Sequence, residues 1–199
     1  MCILVKDNIR TIGIDDAAFI REKATKTFVF GIIVRGYSLV EGVLRTEIII
    51  DGVDATDKIA SMIINSKYCE QLKAIFLRSS TIAAFNIIDM NLLNEKTSIP
   101  VVSVLSQTPD EEVFKKALSH LPDWEYRLNI LSRNPPFEFI KYTIREGRHC
   151  EALVQYVGIH DKSEVKKLLR ITCFSSCVPE SLRLADKIGQ SFKDFNLTY

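Results

Sequence analysis

No apolar run in this chain approaches the ~18 residues that a membrane-spanning helix needs. No N-terminal stretch joins a basic start, an apolar middle and a small-residue cleavage site. A soluble, cytoplasmic protein with no membrane partner is the expectation. Cysteine is sparse and odd in number: Cys2, Cys69, Cys150, Cys173 and Cys177 are irregularly spaced, which does not read as a secreted disulfide framework. Charge of one sign is lacking too. Twenty-six basic and 25 acidic side chains leave a net charge of +1. That excludes a globally basic nucleic-acid binder but leaves room for a local basic patch. There is no G-x-G-x-x-G, P-loop or G-x-S-x-G pattern. No repeat, low-complexity tract or linker interrupts the 199 residues, so one domain over 1–199 is the simplest parse.

What is present fits a globular chain with a substantial core: 47% of residues are apolar and 26% charged. The charge is uneven along the chain. Residues 1–114 sum to −3 and residues 115–170 to +4. Either a metal-facing and a phosphate-facing region, or chance variation on a solvated surface, accounts for this.

Three short β-branched runs open the chain: Ile9–Ile14, Thr27–Val34 and Val43–Ile50. Each is closed by turn chemistry, respectively Asp15-Asp16, Arg35-Gly36 and Asp51-Gly52. They predict a meander of antiparallel strands. The period then changes. A helix is expected from Asp54 or Thr56, a strand over Leu72–Leu77, a helix over Thr81–Leu93 and a strand over Pro100–Leu105. Pro109-Asp110-Glu111-Glu112 should open another helix, because proline sets its entry and acids favour its positive end. Residues 115–150 are polar and broken by Arg133-Asn134-Pro135-Pro136. A strand over 151–158 and helices over Lys162–Leu169 and Pro179–Phe195 complete the prediction. The fold class is α/β: a mixed sheet with an antiparallel front and a parallel back, covered by helices.

Asp15, Asp16, Asp51, Asp54 and Asp57 fall at strand ends or just beyond. Carboxylates there can converge on a hard divalent cation that activates water for phosphodiester cleavage. Aspartate is equally a turn and cap residue. Cys173-x-x-x-Cys177 resembles half a zinc site with His149-Cys150 nearby, but the spacing is not diagnostic, and two thiols are the simpler reading. His120, His149 and His160 lie in polar contexts and are expected on the surface. Trp124, Tyr126 and Arg127 suit either base stacking or anchoring of a helix. Arg127, Arg133, Lys141, Arg145 and Arg148 are candidates to track a phosphate backbone.

Five stretches taken together carry a resemblance: IGIDDAAF, GVLRTEIIIDGVDATDKIASMI, TIAAFNIIDMNLL, IPVVSVL and VPESLRLAD. In this order they resemble the domain-of-unknown-function family 99 (DUF99, UPF0215). That family looks like a relative of endonuclease V, on a ribonuclease H-like mixed sheet. The segment Pro179–Asp186 is similar to the C-terminal helix of endonuclease V. The resemblance implies a metal-dependent nuclease acting on DNA or RNA with Mg2+ or Mn2+. Asp15, Asp51 and Asp186 would be its catalytic residues, and Asp15, Asp16, Asp51 and Asp186 its metal ligands. Arg78 and Arg183 would bind substrate or another anion. Arg78-Ser79 stands where the endonuclease has Asp-Gly, Ser106 where it has a lysine, and Tyr37–Gly42 shows no wedge. A non-catalytic nucleic-acid or anion-binding module on the same fold is the alternative.

Overall fold

The computed structural model describes residues 8–108 and 110–193. Cys2, Pro109 and Phe195 lie outside them. The three opening strands are β1 (Arg10–Asp16), β2 (Lys26–Arg35) and β3 (Leu39–Ile49), paired antiparallel in sequence order. Helix α1 (Ala55–Ile64) leads to β4 (Leu72–Leu77), which lies parallel to β1. Two short strands, β5 (Thr81–Ile82) and β6 (Asn86–Ile87), pair as a hairpin ahead of helix α2 (Met90–Thr97). Then come β7 (Val101–Leu105), α3 (Glu111–Leu118), α4 (Trp124–Arg133), β8 (Glu138–Thr143), β9 (His149–Val157), α5 (Lys162–Thr172) and α6 (Glu180–Ser191). The main sheet has seven strands in the order β3-β2-β1-β4-β7-β9-β8. Among the described strands only the neighbours β1–β4 and β4–β7 pair in parallel; β9 turns back against β7, and β8 pairs with β9.

Alternation along β1 divides its side chains between two layers. Ile12 and Ile14 pack with Ile59 and Ile63 of α1 on one face. Thr11 and Gly13 meet Ser181 and Leu182 of α6 on the other. Strand β2 lies between the same layers, which explains its almost unbroken apolar run. Val29 and Ile33 join the α1 side, while Phe30, Ile32 and Val34 join Ala185 on the α6 side. A third apolar cluster joins α5, β8, β9 and Leu182.

Two expectations change. Residues 81–89 form a hairpin and a helix cap where helical spacing suggested a continuous helix. Ala83 and Ala84 take positive φ (45° and 66°), which is incompatible with a right-handed helix. Two carboxylates hold them there: Asp16 accepts from the Ala83 N–H at 3.1 Å and Asp51 from the Phe85 N–H at 3.0 Å. The helix begins only after Asp89, whose side chain caps the Leu92 N–H. Within residues 115–150, β8 appears where no strand was expected; its inward residues are Ile140 and Tyr142.

The cysteine reading also changes. Cys150 and Cys177 form a disulfide that ties β9 to the loop before α6. Cys173 is a buried thiol and Cys69 a partly buried one. Burial, only partly offset by the nearby Tyr142 hydroxyl, pushes the Cys173 thiol up to about 12, so it is inert at neutral pH. No helix among the described residues is long and apolar enough to cross a membrane.

Candidate functional site

Two close backbone approaches place the site. A Cβ on Gly13 would lie 2.1 Å from the Leu182 nitrogen, and one on Gly189 would lie 2.1 Å from the Asp16 carbonyl oxygen. Helix α6 therefore rests directly on the backbone of β1, and the Ala18 N–H donates to the Gly189 carbonyl at 3.0 Å. This docking brings Asp186, on the second half of α6, to the end of β1 that carries Asp15.

Arg78 joins the two acids. It follows β4, the parallel neighbour of β1, so it leaves the sheet beside Asp15. Its Nε donates to Asp15 Oδ2 at 3.2 Å, and its Nη2 lies 3.3 Å from Asp186 Oδ1. Gln190, one turn further along α6, donates to Asp186 Oδ1 at 2.7 Å. The second oxygen of Asp15 accepts from the Asp16 N–H at 3.1 Å. Asp15 is 9% exposed, whereas the Arg78 side chain is 47% exposed. Burial is the main influence on Asp15. Arg78 opposes it, Asp16 adds to it, and the carboxyl is pushed from the usual 3.8 up to about 6. Asp16 is also raised, first by burial, despite the N–H groups it accepts from.

Asp16 and Asp51 belong to a different arrangement. Asp16 alternates onto the α1 face, where it holds the β5–β6 turn. Asp51, at φ 54°, accepts from Arg21 Nη2 at 2.7 Å and from the Phe85 N–H. Arg127, 4% exposed, secures this turn from below. Its guanidinium donates to the carbonyls of Asp51, Gly52 and Phe85 at 2.5, 2.7 and 2.5 Å and pairs with Asp123. Asp54 accepts from the Ile49 N–H and from Asn86 Nδ2, and Asp57 pairs with Lys96 at the surface.

The structure thus brings Asp15, Arg78 and Asp186 together and directs Asp51 elsewhere. Arg183 is committed to Glu180, with its Nη2 2.7 Å from the carboxylate. Burial pushes Glu180 up, but hydrogen bonds from Arg183 and Ser175 outweigh it and hold that acid below its ordinary value. Asp89 caps α2 and pairs with Arg133 at 2.9 Å, so it does not replace the acid that Arg78 displaces. Of the two sequence readings of Arg127, anchoring of a helix is the one its contacts support. It serves neither base stacking nor a phosphate track, and Tyr126 is 57% exposed while the arginine is the anchor. Asp123 is four residues back at the N-cap of the same helix, but the three carbonyls come from two distant segments, and no local pattern signals that convergence.

The residues present do not fit a magnesium or manganese ion. Such hard ions favour oxygen ligands, and a guanidinium cannot serve as a ligand at all. Here a guanidinium fills the space between Asp15 and Asp186, and Asp51 is bound to Arg21 and backbone. Among the described residues, no three His, Cys, Asp or Glu side chains form a group able to hold a metal.

A seven-stranded mixed sheet flanked by these helices is an endonuclease V-like fold. The Ciona intestinalis endonuclease V, crystallised with a DNA containing an inosine followed by a ribo-adenosine, has a TM-score of 0.56 with this chain. The two are 10% identical, over 94% of this chain and 86% of that one, and share the fold. The chain belongs to the Endonuclease dU family, which matches residues 7–193. It is 39% identical to a UPF0215 protein of Methanosarcina barkeri over 185 residues, 93% of this chain and 91% of that protein. The crystal structure of an Archaeoglobus fulgidus protein of unknown function has a TM-score of 0.80. It is 35% identical and covers 92% of this chain and 98% of that one.

Proposed function

We propose that this protein is an endonuclease that hydrolyses a phosphodiester of deoxyuridine-containing DNA at the Asp15–Arg78–Asp186 cluster. The supporting observation is the half-exposed guanidinium held between acids from opposite ends of the chain, beside a carboxyl raised to about 6. The family description supplies the substrate class.

Chain residues supply the chemistry as follows. Arg78 presents planar donors to the non-bridging oxygens of the phosphate, and Asp186 with Gln190 fixes its orientation. Asp15 titrates close to neutral pH, which suits an acceptor for the proton of attacking water. A water oxygen–phosphorus bond forms, and the phosphorus–ester oxygen bond opposite breaks. The water's proton passes to Asp15, and solvent protonates the departing alkoxide.

A labelled duplex carrying one deoxyuridine, resolved on a denaturing gel, tests this. The wild type should cut it, while Arg78→Ala and Asp15→Asn should each lose at least about 100-fold, a size typical of removing a transition-state donor or base. Cutting at the wild-type rate by Arg78→Ala would refute the assignment. A second reading is favoured by one observation: Asp51 is spent on structure, so the cluster is short of carboxylates. On that reading the protein is a nucleic-acid-binding module, and the same duplex is bound through Arg78 but left intact.

A further inference from the structure

A second region, away from the carboxylate cluster, has its own chemistry. Between the β8–β9 turn and helix α5 lies a cavity of about 520 Å³. Its lining includes Arg145, Lys166, Lys167 and Arg170, together with Thr143 and Gly147, and no acid contributes to it. Helical periodicity explains the concentration of charge: α5 buries Val165, Leu168 and Leu169 and turns the three cations between them outward. Lys166, Lys167 and Arg170 form no salt bridge among the described residues, and Lys167 lies in the field of Asp161. Lys166, Lys167 and Arg170 around one concavity with no acid in its lining are a match for a polyanion.

An aromatic ledge adjoins the cavity. The Arg145 guanidinium sits 5.4 Å over the Tyr37 ring, and Tyr37 stacks on Phe174 with centroids 4.8 Å apart. Phe174 is 38% exposed. Cations that take phosphates beside a ring that takes a base face are the pairing by which proteins bind single strands. A free inorganic phosphate would have no use for the ledge.

The position agrees with the cluster. Phe174 is in the loop before α6, and Asp186 is on that helix's second half. Tyr37 is in the β2–β3 turn, at the Arg10 end of β1, since Arg10 pairs with Arg35 and Asp16 with Val29. Seven strand residues separate the ends by roughly 20 Å, or about six nucleotides at 3.4 Å each. We infer that the α5 cavity and the Tyr37–Phe174 ledge form a binding site for the nucleic-acid backbone on the flank of the cleaved position. This rests on the endonuclease reading and names where the substrate strand runs.

The test is fluorescence anisotropy with a labelled DNA single strand, titrated between about 50 and 200 mM salt. Lys166→Gln, Lys167→Gln and Arg170→Gln combined should weaken binding at least about tenfold. The combined variant should also flatten the slope of log K against log salt by roughly 2, near 0.7 per lost phosphate contact. Phe174→Ala should cost at least about fivefold, in line with the loss of one stacked base. The three cationic side chains are exposed and form no salt bridge among the described residues, so an unchanged melting temperature accompanies the loss in the triple variant. Wild-type affinity and slope in the triple variant would overturn the site. Unchanged affinity in Phe174→Ala would overturn its assignment to nucleic acid and leave a phosphate site. Cleavage assayed in parallel separates the two claims. DNA cut normally by the triple variant with no binding loss removes the cavity and keeps the cluster. Cavity-dependent binding with no cleavage keeps the cavity and removes the catalytic reading.

Discussion

Replacing Asp15 with asparagine should stabilise the protein at neutral pH while disabling its proposed chemistry. The folded carboxyl titrates at about 6 and the unfolded one near 3.8. A raised acid holds its proton more tightly in the folded state, so its contribution to stability is complete below pH 3.8 and is lost as pH rises through about 6. The gap corresponds to about 3 kcal/mol at 1.36 kcal/mol per unit. Asparagine keeps the shape and never ionises, so it escapes this loss. Asp16 is raised in the same direction but is present in both proteins, so its effect largely cancels in their difference. Urea unfolding at pH 4 and pH 7.5 measures the outcome. The stability of Asp15→Asn relative to wild type should swing in its favour by about 2.4 kcal/mol between these pH values, or roughly 5–10 °C in melting temperature for a chain of this size. An identical difference at both pH values would refute the reasoning, because it would mean that Arg78 fully compensates the buried charge.

Arg127→Ala should destabilise by about 3 kcal/mol in a urea melt, since it strands carbonyls of Asp51, Gly52 and Phe85 together with Asp123; a loss under about 1 kcal/mol would show that water replaces it. Manganese should leave the wild-type melting temperature flat, whereas Arg78→Ala frees Asp15 and Asp186 and should gain a metal-dependent rise by mass action. Reducing Cys150–Cys177, which are 27 residues apart, should cost roughly 3 kcal/mol, read from melts with and without reductant. Gly189→Ala should lower the melting temperature sharply, because its Cβ would overlap the Asp16 carbonyl, and reduce cleavage by lifting Asp186.

Much of the fold is legible because it is local. Leu72–Leu77 reads as a strand from its composition and is one, and the opening meander declares itself by β-branched runs closed with Asp and Gly. The hairpin at 81–87 was hidden for the opposite reason: Ile82, Phe85 and Ile88 lie at near-helical spacing, and only acceptors from Asp16 and Asp51 force Ala83 and Ala84 out of it. The site divides in the same way. Asp15 and Asp186 could be picked out through the resemblance to endonuclease V. That Asp16 would turn onto the other face follows from strand alternation, which was readable in principle, since Ile12 and Ile14 mark the α1 side of β1; Asp51 lies past β3 at positive φ, where alternation gives no guide.

Charge balance connects the cluster to the α5 cavity. Asp15 and Asp186 face the Arg78 guanidinium, and Lys187 Nζ lies 3.8 Å from Asp186, so the cations of the cluster are already matched by carboxylates and leave no positive field to draw in a phosphate. Arg78 can orient a phosphodiester that has arrived, but it cannot gather one from solution. Affinity for a DNA backbone therefore has to come from outside the cluster. Lys166, Lys167 and Arg170 stand on the same side of the sheet as α6 and form no salt bridges among the described residues. Separating attraction from chemistry in this way lets the carboxylates keep the raised proton affinity that a denser local cationic field would abolish. It also makes the docking of α6 on Gly13 the joint between the two, since that helix carries Asp186 at one end and follows Phe174 at the other.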